Sequence, residues 1–182
     1  EYAFAWRSAL TSVEIPDSVI SLGDGVFYES WRIERITLGT GVASISLNAF
    51  DRCNSLSEIK VMENNSTYSS RDGVLFTEDG TQLLRFPEGK GGAYTVPVGV
   101  LSINRFAFSS SENLESVVIA DSVLTIAENA FDWCLNLTTL TLGNSLTSIG
   151  EGAFYRCPKL LSVSIPETLK CLYSRQRHLC GS

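Results

Sequence analysis

Apolar residues recur along this chain at two superposed spacings. The first is short: in Leu137-Thr-Thr-Leu140-Thr-Leu142 the last two apolar residues alternate with a polar one, which puts both on one side of a short strand. The second is long. Leu10, Ile33 and Leu56 stand 23 residues apart, as do Leu114, Leu137 and Leu160. Phe4, Phe27 and Phe50 keep that step, and so do Phe108, Phe131 and Phe154. The two phenylalanine series are 58 residues apart, one step of 23 plus an excess of 35, so the array is interrupted once.

Six units open in phase: Leu10/Val13/Ile15, Ile33/Ile36/Leu38, Leu56/Ile59/Val61, Leu114/Val117/Ile119, Leu137/Leu140/Leu142 and Leu160/Val163/Ile165. A period in the range of roughly 20 to 29 residues with this opening is the leucine-rich-repeat signature, each unit supplying one coil of a solenoid. One coil has no means of burying its apolar side alone; stacked strands about 4.8 Å apart bury it as a continuous spine. A second apolar pair, Val19/Leu22, Val42/Ile45, Val100/Ile103, Val123/Ile126 and Leu146/Ile149, is expected on the return side. Pro16, Pro166, Gly39 or Gly143 ends the first strand, because proline lacks the ladder donor and glycine permits the bend. The phenylalanine then plugs the space between layers.

Leu10-Thr-Ser-Val-Glu-Ile-Pro-Asp-Ser-Val19-Ile-Ser-Leu22-Gly and Leu146-Thr-Ser-Ile-Gly-Glu-Gly-Ala-Phe154-Tyr-Arg-Cys157 resemble the BspA-like leucine-rich repeats of bacterial and protozoan surface proteins, over roughly residues 3 to 172. The resemblance implies a β-rich, right-handed superhelical solenoid of 23-residue coils with a parallel sheet. It also implies a cell-surface or secreted location and adhesion to host or matrix proteins or to other cells.

The expected organisation is one solenoid over 1–172, with an insertion at about 62–95 and an irregular tail at 173–182. Phe4 already holds the plug position, six residues before Leu10, so the chain is expected to be a segment of a longer array. Gly73–Thr77 and Gln82–Phe86 flank Glu78-Asp79-Gly80-Thr81, a hairpin signal. Such a hairpin either keeps the spine continuous or protrudes as a recognition element using Tyr68, Phe76, Lys90 and Tyr94. In the tail Arg177 stands where the next phenylalanine belongs, leaving a cap, a disordered end or a non-native extension as readings.

The net charge of -6 and pI near 4.8 argue against nucleic acid or an anionic membrane surface as partner. No apolar run approaches the length of a membrane span. His178 is the single histidine and lies in the tail, which leaves no Ser-His-Asp triad, Cys-His pair or multi-histidine metal site in the core. Glu14, Glu58, Glu115, Glu128 and Glu151 fall at positions expected to face water, and nothing selects a catalytic pair. The expectation is a non-enzyme without cofactor or metal, with paired-carboxylate hydrolysis as the third reading after protein and carbohydrate binding.

Cys53, Cys134 and Cys157 each lie three residues after a plug phenylalanine, a phase shared by Ser30 and Ser111, and are expected to be buried free thiols. Cys171 and Cys180 either bridge each other or stay free. Asn64, Asn65 and Asn136 open glycosylation tripeptides, and the first two suit acceptors in an insertion loop if the host is eukaryotic.

Two surfaces are candidates for a partner, either a protein ligand or a glycan. One is the outward side of the first strands, with Arg35, Thr37, Glu58, Lys60, Thr139 and Thr141. The other is the edge after each plug phenylalanine, where Tyr28, Trp31, Trp133 and Tyr155 vary from coil to coil; Tyr, Trp and Arg carry most binding hot spots. Rings on this edge either meet a partner or pack over the cysteine ladder.

Overall fold

A computed structural model of the chain describes residues 1–174 and 177–180; side chains beyond Leu172, including those of Arg177, His178 and Cys180, lie outside the described residues. The chain is a β-solenoid of about seven turns built from mostly parallel strands. The first strands of the repeats form two separate three-stranded parallel sheets. One holds β1 (Ser12–Ile15), β3 (Arg35–Leu38) and β5 (Glu58–Val61), and the other holds β9 (Gly92–Thr95), β11 (Leu114–Val118) and β13 (Thr139–Thr141). Register follows the sequence period, Val13 opposite Ile36 and Ile36 opposite Ile59. The alternate residues Ile36, Ile59, Val117 and Leu140 are buried, which is why the period-two pattern was present. Gly39 follows β3 because a Cβ there would stand 2.6 Å from the Ile15 carbonyl of the preceding coil.

The return pairs form β2 (Ser21–Leu22) and β4 (Ser44–Ile45) in one small sheet. In the second half, β8 (Gln82–Arg85), β10 (Ser102–Ile103), β12 (Thr125–Ile126), β14 (Ser148–Ile149) and β15 (Cys171–Ser174) make a parallel ladder. The strand β16 (Arg177–Cys180) closes its end by antiparallel pairing, setting Cys171 opposite Cys180, and Cys171 is disulfide-bonded. The opening of the sixth unit, Leu160/Val163/Ile165, forms no strand, and Ile165 is exposed.

The interruption is a hairpin, β7 (Val74–Thr77) against β8, preceded by β6 (Tyr68–Arg71) on the other edge of β7. It does not protrude. Phe76 is fully buried, and Tyr68 and Tyr94 are half-buried against the core, so three residues expected on a recognition element serve packing. Nor is the first-strand spine continuous, since β5 and β9 lie in different sheets. The strand β7 runs through the interior as a partition: Val74 and Phe76 belong to the core of the C-terminal half and Leu75 to that of the N-terminal half. Its near end meets β5, where the Ile59 amide donates to the Gly73 carbonyl at 2.8 Å.

Two residues make this crossing. Asn65, 5% exposed, donates through Nδ2 to the Gly39 and Val42 carbonyls at 2.9 and 3.0 Å, and its Oδ1 accepts from the Thr67 and Tyr68 amides at 2.9 and 2.8 Å. Phe86 resumes the plug series. It is fully buried, stacks on Phe108 at 5.0 Å, and its amide donates to the Ala107 carbonyl as that of Phe27 does to Ala49. The interrupted stretch therefore contains a whole coil with an enlarged approach.

Candidate binding surfaces

Phe4, Phe27, Phe108, Phe131 and Phe154 each sit between two residues in left-handed conformation, whereas Phe50 has one only on its later side and Phe86 has neither. Two positions before the plug stand Tyr2, Gly25, Phe106, Asn129 and Gly152, with φ of 55°, 56°, 58°, 53° and 61°. Two positions after it stand Trp6, Glu29, Arg52, Ser110, Trp133 and Arg156, with φ between 55° and 61°. Left-handed backbone is costly for residues bearing a Cβ and persists where surrounding bonds fix it. Here four of the later amides donate to a carbonyl of the next coil: Trp6 to Tyr28 at 2.9 Å, Glu29 to Asp51 at 3.1 Å, Ser110 to Asp132 at 2.8 Å and Trp133 to Tyr155 at 3.1 Å. The backbone is thus constant while the side chains on this rim vary.

At the junction coil the rim dips. Glu88 occupies the place after Phe86, yet it and Pro87 are buried. The Glu88 carboxylate accepts the Arg52 amide at 3.2 Å, standing in for the carbonyl that the next coil supplies elsewhere. Arg85 reaches the same oxygen at 2.6 Å, Asp51 at 3.1 Å and the Phe106 carbonyl at 3.0 Å, joining insertion, N-terminal half and C-terminal half. Burial outweighs the Arg85 charge and raises the Glu88 carboxyl to about 7. Nothing in the sequence reading selected Arg85, Phe86 or Glu88; the available signals were the 22-residue step from Phe86 to Phe108 and the opposite charges three apart.

The dip leaves a groove of about 460 Å³, walled by Glu29, Trp31, Arg52 and Asn54 on one side and by Ser110, Glu112 and Trp133 on the other. A second hollow of about 520 Å³ shares Ser110 and Trp133 and continues past Asp24, Asp51 and Asp132. Trp31 is 50% and Trp133 40% exposed, so each ring presents a large part of its surface to solvent. Glu29 and Glu112 stand with Arg52 in the first hollow, and Asp24, Asp51 and Asp132 line the second without a basic residue. Burial raises the Asp132 carboxyl against the opposing Arg156 charge. The remaining edge residues lie further along the rim: Tyr28 packs edge-on to Tyr2 and Trp6, and Arg156 lies 5.1 Å over the Tyr155 ring and 4.2 Å over Trp133.

The strand-face candidates divide between the two sheets. Arg35, Thr37, Glu58 and Lys60 share the first, with Arg35 and Glu58 paired across coils at 2.5 Å, while Thr139 and Thr141 are on the second. Between them opens a polar hollow of about 690 Å³ lined by Lys60, Asp72 and Lys90. The two groups of residues are therefore not one docking face.

The cysteine phase is structural. The thiols of Cys53, Cys134 and Cys157 are free, and each donates to a phenylalanine carbonyl 26 residues back at 3.1 Å, as the Ser30 hydroxyl does to Phe4 at 2.8 Å. Burial pushes the Cys53 thiol up to about 12, and the Cys157 thiol together with burial raises that of Cys134. Asn65 is no glycan acceptor in the folded chain, because its amide nitrogen is buried and committed to two carbonyls.

Comparison with family models finds the BspA type leucine rich repeat region in six copies, over residues 1–73 and 92–177. The chain belongs to this family. The unmatched stretch between the two blocks holds β7, β8 and the Arg85-Phe86-Pro87-Glu88 corner, where this BspA-type array departs from its period. Among solved structures it is similar to a leucine-rich repeat protein from Eubacterium ventriosum, at 26% identity and a TM-score of 0.75 over 89% of this chain and 42% of that one. It is also similar to a leucine rich cell surface protein from Faecalibacterium prausnitzii, at 29% and 0.73 over 94% and 52%. The pneumococcal vaccine antigen PcpA shares the fold at 23% and 0.72 over 96% and 56%. The chain thus spans about half the length of these structures. No curated protein matches it. Among the described residues no helix is long and apolar enough to cross a membrane.

Proposed function

We propose that this BspA-type repeat segment is a non-catalytic protein-binding module of a cell-surface or secreted protein, engaging its ligand at the groove between Trp31 and Trp133. The observation that carries this reading is the exposure of two tryptophans across a dip in an otherwise regular rim, flanked by Arg52. Rigid aromatic anchors beside a guanidinium give large contact area at small entropic cost, the chemistry of protein hot spots. Leucine-rich repeats in general mediate protein binding, and one structural neighbour is described as a cell surface protein. Adhesion to a host or matrix protein follows as the biological role.

A second reading, carbohydrate binding, draws on the same groove, where Glu29, Glu112 and Asn54 lie beside the exposed rings and offer hydroxyl acceptors. A panel of matrix and cell-surface proteins set against a glycan array separates the two. In the protein reading the Trp31→Ala, Trp133→Ala double variant loses at least about tenfold in affinity for the captured protein, while Thr139→Glu leaves binding unchanged. Binding that survives the tryptophan changes and fails in Thr139→Glu moves the site to the strand face and overturns the assignment.

A further inference from the structure

The return side contains a second, unrelated feature, an open strand edge over an apolar cleft. In the regular ladder the Ser44 and Ser46 amides donate to the Ile20 and Leu22 carbonyls at 3.2 and 2.9 Å. Thr125 and Ala127 repeat this toward Leu101 and Ile103, and Ser148 and Gly150 toward Leu124 and Ile126. By phase, Thr67 and Ser69 belong against Ala43 and Ile45. Instead the Thr67 and Tyr68 amides are taken by Asn65 Oδ1, and Ser69 pairs with Phe76 in the hairpin. Among the described residues no amide donates to the Ala43 or Ile45 carbonyl. The chain was diverted and the Ala43 and Ile45 carbonyls of the β4 edge were left without an amide donor, although the Tyr68 hydroxyl hydrogen-bonds to the Ile45 backbone; the open carbonyls are a template for a further strand.

Beside that edge lies a cleft of about 310 Å³ walled by Ile45, Leu47, Phe50, Tyr68, Leu75 and Leu84. Arg85 lines it as well, and although Arg85 is 4% exposed its Nε–H has no acceptor. A buried donor without a partner is costly, and an occupant that supplies a carbonyl relieves it. No carboxylate lines the cleft, but its two arginines are already answered, Arg85 by Glu88 and Asp51 and Arg105 by Glu128. An anion gains little there. The volume is at the lower limit of small-ligand pockets, enough for one or two side chains.

We propose that the cleft binds an extended, uncharged peptide segment that adds to β4 as a parallel strand and places one bulky apolar side chain between Phe50, Leu75 and Leu84. Two alternate amides of the segment donate to the Ala43 and Ile45 carbonyls, as Thr125 and Ala127 do to Leu101 and Ile103, and one of its carbonyls accepts from Arg85 Nε. Trp31 and Trp133 line other hollows, so this site stands independently of the rim groove.

The chain supplies its own probe, the acetylated and amidated peptide Val123-Leu124-Thr125-Ile126-Ala127, which forms the corresponding rung at β12. Titration followed by backbone NMR is expected to give saturable shifts at residues 43–47, 75 and 84. N-methylation at the peptide's threonine or alanine, whose amides face the edge, weakens binding at least about tenfold, whereas N-methylation at its isoleucine, whose amide faces away, does not. Thr67→Trp, which fills the cleft from a half-buried position, abolishes the shifts while Trp133→Ala preserves them. Absence of saturable binding at millimolar peptide, or equal binding of all methylated peptides, overturns the proposal. A dimer of the chain alone that Thr67→Trp dissociates also overturns it, by assigning the edge to a second copy.

Discussion

Asn65→Ala tests the claim that a single side chain turns the strand out of the ladder. The amide makes four hydrogen bonds at 2.8 to 3.0 Å from a site that is 5% exposed. Removal strands the Gly39 and Val42 carbonyls and the Thr67 and Tyr68 amides away from ready solvent. At about 1–3 kcal/mol for each buried group left unpaired, with partial relief by rearrangement, the expected loss is roughly 4 kcal/mol. Asn65→Asp separates the two halves of the argument. It keeps the acceptor for Thr67 and Tyr68 but turns a carboxylate oxygen toward two carbonyls, so it is as damaging as alanine at pH 7 and recovers on acidification, when a protonated acid regains one donor. Glu63→Ala, two residues away and exposed, is the control, expected within about 0.5 kcal/mol of the parent. Urea unfolding followed by tryptophan fluorescence measures all three. Loss below about 1 kcal/mol for Asn65→Ala, or an Asn65→Asp variant indifferent to pH, refutes the assignment.

Glu88→Gln should flatten the stability profile between pH 4.5 and 7. The folded carboxyl is raised from 4.5 to about 7, so its ionised form is disfavoured by the fold. The penalty is absent below 4.5, complete above about 7, and worth roughly 3 kcal/mol. The parent therefore loses stability relative to the variant as pH rises through that window; parallel profiles would contradict the burial argument. Phe86→Ala should cost about 3–5 kcal/mol, against less than half of that for Phe4→Ala, because Phe86 is fully buried and Phe4 is 48% exposed; chemical denaturation compares them. Cys53 and Cys134 should resist alkylation at pH 8 in the folded chain and react on unfolding, with mass mapping of the labelled peptides as readout. Rapid labelling of native Cys53 would disagree with a thiol raised to about 12.

The sequence by itself determined the coil. Leu137, Leu140 and Leu142 bury because stacked strands leave them one apolar side, and the 23-residue step sets the register of Ile36 on Ile59 and of Phe108 on Phe131. Such contacts are legible because every coil repeats the same environment, so each residue's neighbours are named by counting. The cysteine phase was legible for the same reason, since Cys53, Cys134 and Ser30 face equivalent carbonyls. What counting does not reach is the junction, where the period fails. That β7 partitions the core, that Arg85 ties Glu88 to Asp51, and that Glu88 replaces a backbone carbonyl for Arg52 all depend on residues 3 to 36 apart meeting by no fixed rule. The pairing of Trp31 with Trp133 across one groove belongs here too: both were visible as rim residues, but only the dip over Phe86-Pro87-Glu88 brings the two halves of the rim to face each other. A repeat specifies its own continuation through local burial, whereas an interruption is specified by the tertiary contacts that accommodate it.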